Sequence, residues 1–241
     1  MADLFRSVLR KGFDELALSI NEEKIERFSL YKDMLLSWNE QINLTAILDP
    51  EEIAVKHFID SLAVSRFIDF KEDQKLIDIG SGAGFPGLPI KIIFPEINVT
   101  LLDSLQKRCR FLNELIQELG LAGIEAVHGR AEEKGQDPLM REEFDFAVAR
   151  AVTKLPVLVE YCLPFVKEGG IFIAFKGPEV NDEIKSAQKA ITLLGGWIIE
   201  NKRFTLPVSK EERSLILIGK KESTEKIYPR RPGIPEKKPL L

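Results

Sequence analysis

The stretch from Lys75 to Asp103 restricts the fold more than any other, because it reads as strand, glycine-rich turn, helix and second strand ending in an acid. Leu76, Ile77 and Ile79 form a short apolar run, followed by Gly80, Ser81, Gly82, Ala83, Gly84, Phe85, Pro86 and Gly87. Glycines at alternate positions let the backbone turn sharply and let a ligand approach bare main chain. Pro86 suits the first turn of a helix expected from roughly Gly87 to Phe94, where its missing N–H is no loss. The N-terminal amides of that helix are expected to face an anionic or carboxylate group above the loop. Val99, Leu101 and Leu102 predict a second buried strand ending at Asp103, 23 residues beyond Gly80. That separation suits an acid that receives ribose hydroxyls at the end of a second parallel strand. The unit reads as half of a nucleotide-binding sheet.

Two cofactors fit this description. Gly82, Gly84 and Gly87 satisfy G-x-G-x-x-G with Asp103 beyond, as in a nicotinamide-binding unit. Asp78, two residues before Gly80, extends the pattern to Asp-x-Gly-x-Gly-x-Gly, which resembles the S-adenosylmethionine loop of class I methyltransferases.

The remainder of the chain discriminates between them. Phe111, Leu115 and Leu119 stripe a helix ended by Gly120, and a third strand lies near Ile124 to Val127. Gly129, Arg130, Ala131 and Glu132 make a short acidic turn. Phe144 to Ala149 is a fourth strand ending at Arg150, Leu155 to Val166 a helix, and Gly170 to Phe175 a fifth strand ending in Lys176-Gly177. After a helix near Glu179 to Leu194 come two runs, Trp197 to Phe204 and Ser214 to Ile218. The segment between them is too short for a helical crossover, so they are predicted to pair antiparallel. Dehydrogenase sheets are usually parallel throughout, so the hairpin favours S-adenosylmethionine. Ligands of doubly wound sheets lie beyond the carboxyl ends of the strands, where Asp103, Arg150 and Lys176 are expected.

Residues 1 to about 70 read as helices. Leu4, Phe5, Val8, Leu9 and Leu16 are loosely helical in spacing, and Ser19 with Glu22 predicts a capping box. Ile25, Phe28, Tyr31, Leu35, Trp38 and Ile42 then form an apolar stripe. Asp49-Pro50-Glu51-Glu52 opens a third helix, with Ala54, Phe58 and Leu62 on one side. His57 and Asp60 stand on the same helix, and their i, i+3 spacing reads as a local pair rather than a general-base system.

Composition bounds the rest. A chain of 241 residues that is 44% hydrophobic can bury a full α/β core. No apolar run approaches the roughly 18 residues of a membrane span, and early charges at Asp3, Arg6, Arg10 and Lys11 argue against a secretory signal. Cys109 and Cys162 have neither metal-ligand spacing nor partners, so a reducing cytoplasm is expected, with no metal. Net charge is −4, which gives nucleic acid no general attraction. From Lys220 onward, however, seven basic residues face three acids, a balance of +4 that leaves −8 for the remainder. Pro229, Pro232, Pro235 and Pro239 predict that this basic tail stays extended.

With these residues in place, the chain resembles the RsmG (GidB) family of bacterial small-subunit ribosomal RNA guanine-N7 methyltransferases over nearly its whole length. The resemblance rests on Trp38-Asn39, Asn43-Leu44-Thr45, His57 with Asp60-Ser61-Leu62, and the loop Asp78 to Gly87. It also rests on Leu101-Leu102-Asp103-Ser104, Lys107-Arg108, Arg150-Ala151, Lys176-Gly177 and Arg213. It implies S-adenosylmethionine held by Gly80, Phe85, the Ala131-Glu132 turn and Arg150, with a guanine in a decoding-region hairpin loop of 16S rRNA as substrate. Guanine N7 carries an unprotonated lone pair, so no general base is obligatory.

The expected fold is an α/β class I S-adenosylmethionine-dependent methyltransferase, with a Rossmann-like seven-stranded sheet and its last strand antiparallel. The expected parts are a helical extension over 1–70, the methyltransferase domain over 71–221 and the tail over 222–241. Asp78, Gly80, Gly82, Gly84, Phe85, Asp103, Ala131, Glu132 and Arg150 are the candidate cofactor residues. Arg150, Lys176 and Arg213 are candidates for positioning the guanine, and Lys107, Arg108, Arg110, Arg230 and Arg231 for contacting RNA. A monomer acting on 16S rRNA or the small ribosomal subunit is expected. A nicotinamide oxidoreductase and a noncatalytic ribosome-binding protein are the alternatives.

Overall fold

The computed structural model describes residues 2–241. Seven strands form one sheet: β1 Lys75–Ile79, β2 Asn98–Asp103, β3 Ile124–His128, β4 Phe144–Arg150, β5 Val166–Lys176, β6 Gly196–Thr205 and β7 Glu212–Lys220. Their order is β3-β2-β1-β4-β5-β7-β6. Strands β1 to β5 pair in parallel, and β7 runs antiparallel to both β5 and β6. The order reverses between β1 and β4, which opens a crevice at their carboxyl ends. Because β7 is antiparallel, its start lies at that same edge. Ser214 pairs with Lys176, which brings the neighbouring Arg213 beside the end of β5.

Each strand sends alternate side chains to opposite faces. Leu76, Leu101, Val148 and Ile173 join one apolar cluster, while Ile77, Leu102, Ala147 and Phe172 join the other. The second face is covered by α8 Leu155–Cys162 and α9 Asn181–Leu193. The first carries α5 Gly87–Ile93, α6 Gln106–Glu118 and the N-terminal helices, while α7 Ala131–Lys134 follows β3.

The N-terminal part comprises α1 Ala2–Glu15, α2 Glu22–Ile42 and a longer helical run. That run consists of α3 Pro50–Ile53, a π-helical stretch Ala54–Ile59, α4 Asp60–Leu62 and a 3-10 turn Ala63–Arg66. Asp49 caps it by accepting the Glu52 N–H at 2.9 Å. At α2 the cap is Asn21, not Ser19: its side chain accepts the Lys24 N–H at 3.0 Å, next to the acidic first turn Glu22-Glu23. Phe58 is the joint between helices and sheet. Its ring centroid lies 4.9 Å from Phe28, 5.1 Å from Tyr31, 5.7 Å from Phe85 and 6.0 Å from Phe5. Helices and sheet therefore share one core.

The C-terminal residues overturn the expected extended tail. Residues 222–241 fold back over α7 and α8 and include a short helix, α10 Ile234–Lys237. Arg141 donates from Nη1 to the Tyr228 carbonyl at 2.8 Å, and from Nη2 to the carbonyls of Thr224 and Glu225 at 2.6 and 3.2 Å. Lys220, one of the seven basic residues of the tail's charge balance, is fully buried against the Leu163 carbonyl and Glu142. Burial pulls its pKa down to about 8, against the opposing pull of Glu142. Arg230, expected to contact RNA, is instead paired with the buried Glu160. Composition counts such charges as free because their partners lie far away in sequence. Among the described residues no helix is long and apolar enough to cross a membrane.

Replacing Phe58 by alanine removes a ring from a close-packed aromatic group, and such changes cost about 3–5 kcal/mol. Urea denaturation of Phe58→Ala should show a loss of that size. Leu30→Ala, at a position 37% exposed, should stay within about 0.5 kcal/mol of the parent.

Candidate active site

The loop after β1 is built on a buried acid. Asp78 is 0% exposed and accepts the Gly87 N–H on Oδ2 at 2.8 Å. Gly87 tolerates this approach because a Cβ there would lie 2.9 Å from the same carboxylate. The first amide of α5 is thus held by the protein's own acid, not directed at a ligand as its sequence position suggested. Pro86 precedes that helix as its cap residue instead of lying in its first turn. At Gly84, with φ of 97°, a Cβ would come 2.6 Å from the Tyr31 hydroxyl, which donates to the Ala83 carbonyl at 2.5 Å. The long helix α2 therefore supports the loop directly.

Asp78 Oδ1 is buried and has no hydrogen-bond partner among the described residues. Burial raises the pKa of this carboxyl to about 7, with the nearby Asp103 acting in the same direction and Gly87 and Arg150 opposing. Asp103 is itself occupied: Oδ2 accepts the Gly82 N–H at 2.9 Å and Oδ1 the Leu105 N–H at 2.8 Å. It fastens the end of β2 to the loop and lines neither of the cavities beside it.

Two cavities meet at Gly80. The larger, about 510 Å³, is walled by the loop, His57, Asp60, Phe85, Arg150, Lys176 and Arg213. The smaller, about 150 Å³, is walled by Leu102, Ala131, Glu132, Val152, Tyr161 and Glu236.

Phe85 is the centre of the larger cavity's apolar wall. Tyr31 stacks on it at 5.2 Å and 4°, His57 at 4.6 Å and 15°, and the Arg150 guanidinium sits 5.2 Å from its centroid. His57 Nε2 is 2.8 Å from the Thr45 hydroxyl, and Thr45 is fixed in turn by Asn39, which accepts its N–H at 2.8 Å. Burial, helped by Arg150, lowers the His57 pKa to about 3, so the ring is neutral.

Three cations on this wall are tethered to acids. Arg150 Nη1 lies 3.3 Å from Asp60 Oδ2 and donates to the Lys56 and His57 carbonyls at 3.2 and 3.4 Å. Asp60 Oδ1 also faces Arg213 Nε at 3.4 Å, and Arg213 pairs with Glu211 at 2.7 Å. Lys176 Nζ donates to Glu183 and to the Thr153 carbonyl at 2.8 and 2.9 Å.

The fold brings Gly80, Gly82, Phe85, Arg150, Lys176 and Arg213 to one cavity and Ala131 and Glu132 to its neighbour. Gly84 and Asp78 lie behind the loop. Arg108 is half-buried 3.4 Å from Asp103, while Lys107, Arg110 and Arg231 are exposed. Sequence spacing treated His57 and Asp60 as a local pair. Instead they face the cavity and bind Thr45 and the two arginines. Tyr161 and Glu236 carried no sequence signal at all.

Between pH 3.8 and about 7 folded Asp78 holds more protons than the unfolded chain, so its contribution to stability falls as pH rises through that window. Asp78→Asn removes this ionisation. Urea titrations should show the variant gaining on the parent as pH rises from about 4 to about 7 and then levelling off.

Residues 24–216 match the model of the GidB family, described as rRNA small subunit methyltransferase G. The chain is 53% identical over 235 residues to the Ribosomal RNA small subunit methyltransferase G of Alkaliphilus metalliredigens (strain QYMF), covering 98% of each. It is 52% identical to that of Acetivibrio thermocellus over 98% of this chain and 96% of the other. Among solved structures, the branched-chain polyamine synthase C9 mutein from Thermus thermophilus is similar with a TM-score of 0.56 at 14% identity, over 81% of this chain and 64% of that one. Precorrin-6y C5,15-methyltransferase from Geobacter metallireducens GS-15 gives 0.51 at 13% identity, over 67% and 87%. At such identities the likeness is one of fold. The sequence match, spanning the loop, the tethered cations and the helices that hold them, is of another order, and the chain belongs to the GidB family of rRNA small subunit methyltransferases G.

Proposed function

We propose that this protein transfers a methyl group from S-adenosylmethionine to N7 of a guanine in the decoding-region loop of 16S rRNA. The observation that carries the reading is the pair of cavities joined at Gly80. The smaller, closed by Leu102, Val152 and the Ala131-Glu132 turn, suits an adenosine. The larger suits the methionine portion and an incoming base. Gly80, where a Cβ would come 2.8 Å from Val152, keeps the loop bare at the joint of the two cavities, which fits a nucleoside lying against main chain. When bound, S-adenosylmethionine supplies a methyl made electrophilic by its sulfonium.

The chain's own task is positioning. Phe85, stacked with Tyr31 and with His57, holds the loop and gives the Arg150 guanidinium a ring to lie against. A neutral His57 places no cation beside the base, and a guanine attacking through its lone pair needs no residue to remove a proton. The base becomes positive as N7 is methylated. Arg150, Lys176 and Arg213 are each paired with a carboxylate, so they hold the guanine and its phosphates without opposing that charge. The enzyme is expected to act as a monomer in the cytoplasm.

The direct test is radiolabelled methyl transfer to unmodified 16S rRNA, small subunits and assembly intermediates, with the modified base located by borohydride and aniline scission. Methylation elsewhere would sink the target assignment, and no incorporation into any of the three would favour a noncatalytic ribosome-binding role. Lys176→Ala and Arg213→Ala should each lower transfer roughly ten- to hundredfold through misplaced substrate, while calorimetry shows S-adenosylhomocysteine affinity unchanged. Equal collapse of both readouts would make them cofactor residues.

For the RNA surface we assign Lys107, Arg108, Arg110 and Arg231. Removing the exposed charge at Lys107 or Arg110 should lower the slope of log affinity for single-stranded RNA against log salt by about 0.7 each. Arg230→Gln should leave that slope unchanged, because its guanidinium lies on Glu160.

A further inference from the structure

Residues 222–241 carry no periodic apolar signal, yet they are fixed at several separate points. Gln136 Nε2 donates to the Lys226 and Pro229 carbonyls at 3.1 and 2.9 Å, and Arg141 holds three more carbonyls of the segment. Arg230 makes a bidentate pair with Glu160, through Nε to Oε1 at 2.9 Å and Nη2 to Oε2 at 2.6 Å, and its own N–H adds a bond to Oε1 at 2.9 Å. Glu160 is fully buried, so this pair is the segment's deepest anchor.

Beyond the anchor the chain reaches the smaller cavity. Gly233 N–H donates to Glu132 Oε1 at 3.0 Å, and Glu236 forms part of the cavity wall. Glu132 is almost wholly buried, with the Tyr161 hydroxyl against it. A buried carboxylate keeps one orientation only if its oxygens are engaged, and one of them is engaged by the last ten residues of the chain.

We propose that the C-terminal segment is a strap that completes the nucleoside cavity, with Gly233 positioning Glu132 and Glu236 closing the wall over an adenosine. The proposal rests on the cofactor site assigned under the proposed function. The segment thereby sets cofactor affinity and takes no direct part in RNA binding through Arg230. Gly233 serves because its φ is 79°, a conformation that a β-branched residue does not adopt without strain, and a Cβ there would meet no described residue within 4 Å. Any effect of substitution at this position therefore comes from the backbone conformation and not from crowding.

The strap can be tested in the full-length chain. Gly233→Val should turn the segment off Glu132, whereas Gly233→Asn, which accepts a left-handed backbone, should leave it in place. Calorimetry with S-adenosylhomocysteine and with adenosine should show roughly tenfold weaker binding of both to Gly233→Val, about 1.4 kcal/mol, and near-parent binding to Gly233→Asn. Glu236→Ala should weaken both ligands in the same direction, and exchange of the backbone amide at position 233 should be slow in the parent and fast in Gly233→Val. Parent-like affinity in both Gly233→Val and Glu236→Ala overturns the strap. A parent protein that binds neither ligand overturns the cofactor site itself, which is a different result.

Discussion

The Asp78 carboxylate sits out of water beneath the glycine loop, with one oxygen on the Gly87 amide and the other without a partner among the described residues. A buried acid resists ionisation, and its pKa is accordingly raised to about 7. Its single bond ties β1 to the start of α5, and the neighbouring acid Asp103 ties the end of β2 to Gly82 in the same loop. Two carboxylates from adjacent strands thus set the path of the loop, and that path puts Gly80 between the two cavities. The N-terminal helices complete the constraint from above, with Tyr31 bonded to Ala83 and stacked on Phe85.

The same helices explain the character of the larger cavity. The π-helical stretch over Ala54–Ile59 presents the Lys56 and His57 carbonyls to Arg150, and Asp60 follows at its end to bridge Arg150 and Arg213. π-Bulges recur at functional sites. Here the bulge belongs to an element that sequence spacing treated as ordinary helix. The consequence is a wall of cations whose charge is nearly balanced locally.

Much of the fold was legible because its signals are local. Strand-helix alternation, the Gly80 to Gly87 loop, the α2 stripe through Ile25, Phe28, Tyr31 and Leu35, and the Asp49 cap all lie within windows of a few residues, where apolar period and turn chemistry speak directly. The antiparallel ending could be inferred from the short spacing between its two strands, and that ending sets Arg213 beside Lys176. The resemblance added a family and candidate residues but no geometry.

Where the sequence misjudged charged side chains and the C-terminal segment, the cause was a partner distant in the chain. Arg230 finds Glu160 across 70 residues, Arg150 finds Asp60 across 90, and Gly233 finds Glu132 across 101. No periodicity spans such intervals, so a lysine that is buried, such as Lys220, counts the same in composition as one in water. The sequence by itself determined the order of elements, the loop and which residues end the strands, because backbone sterics and apolar period act between near neighbours. Only the tertiary structure decided which charges are free and what covers the smaller cavity, because ion pairs and burial depend on what the fold brings together.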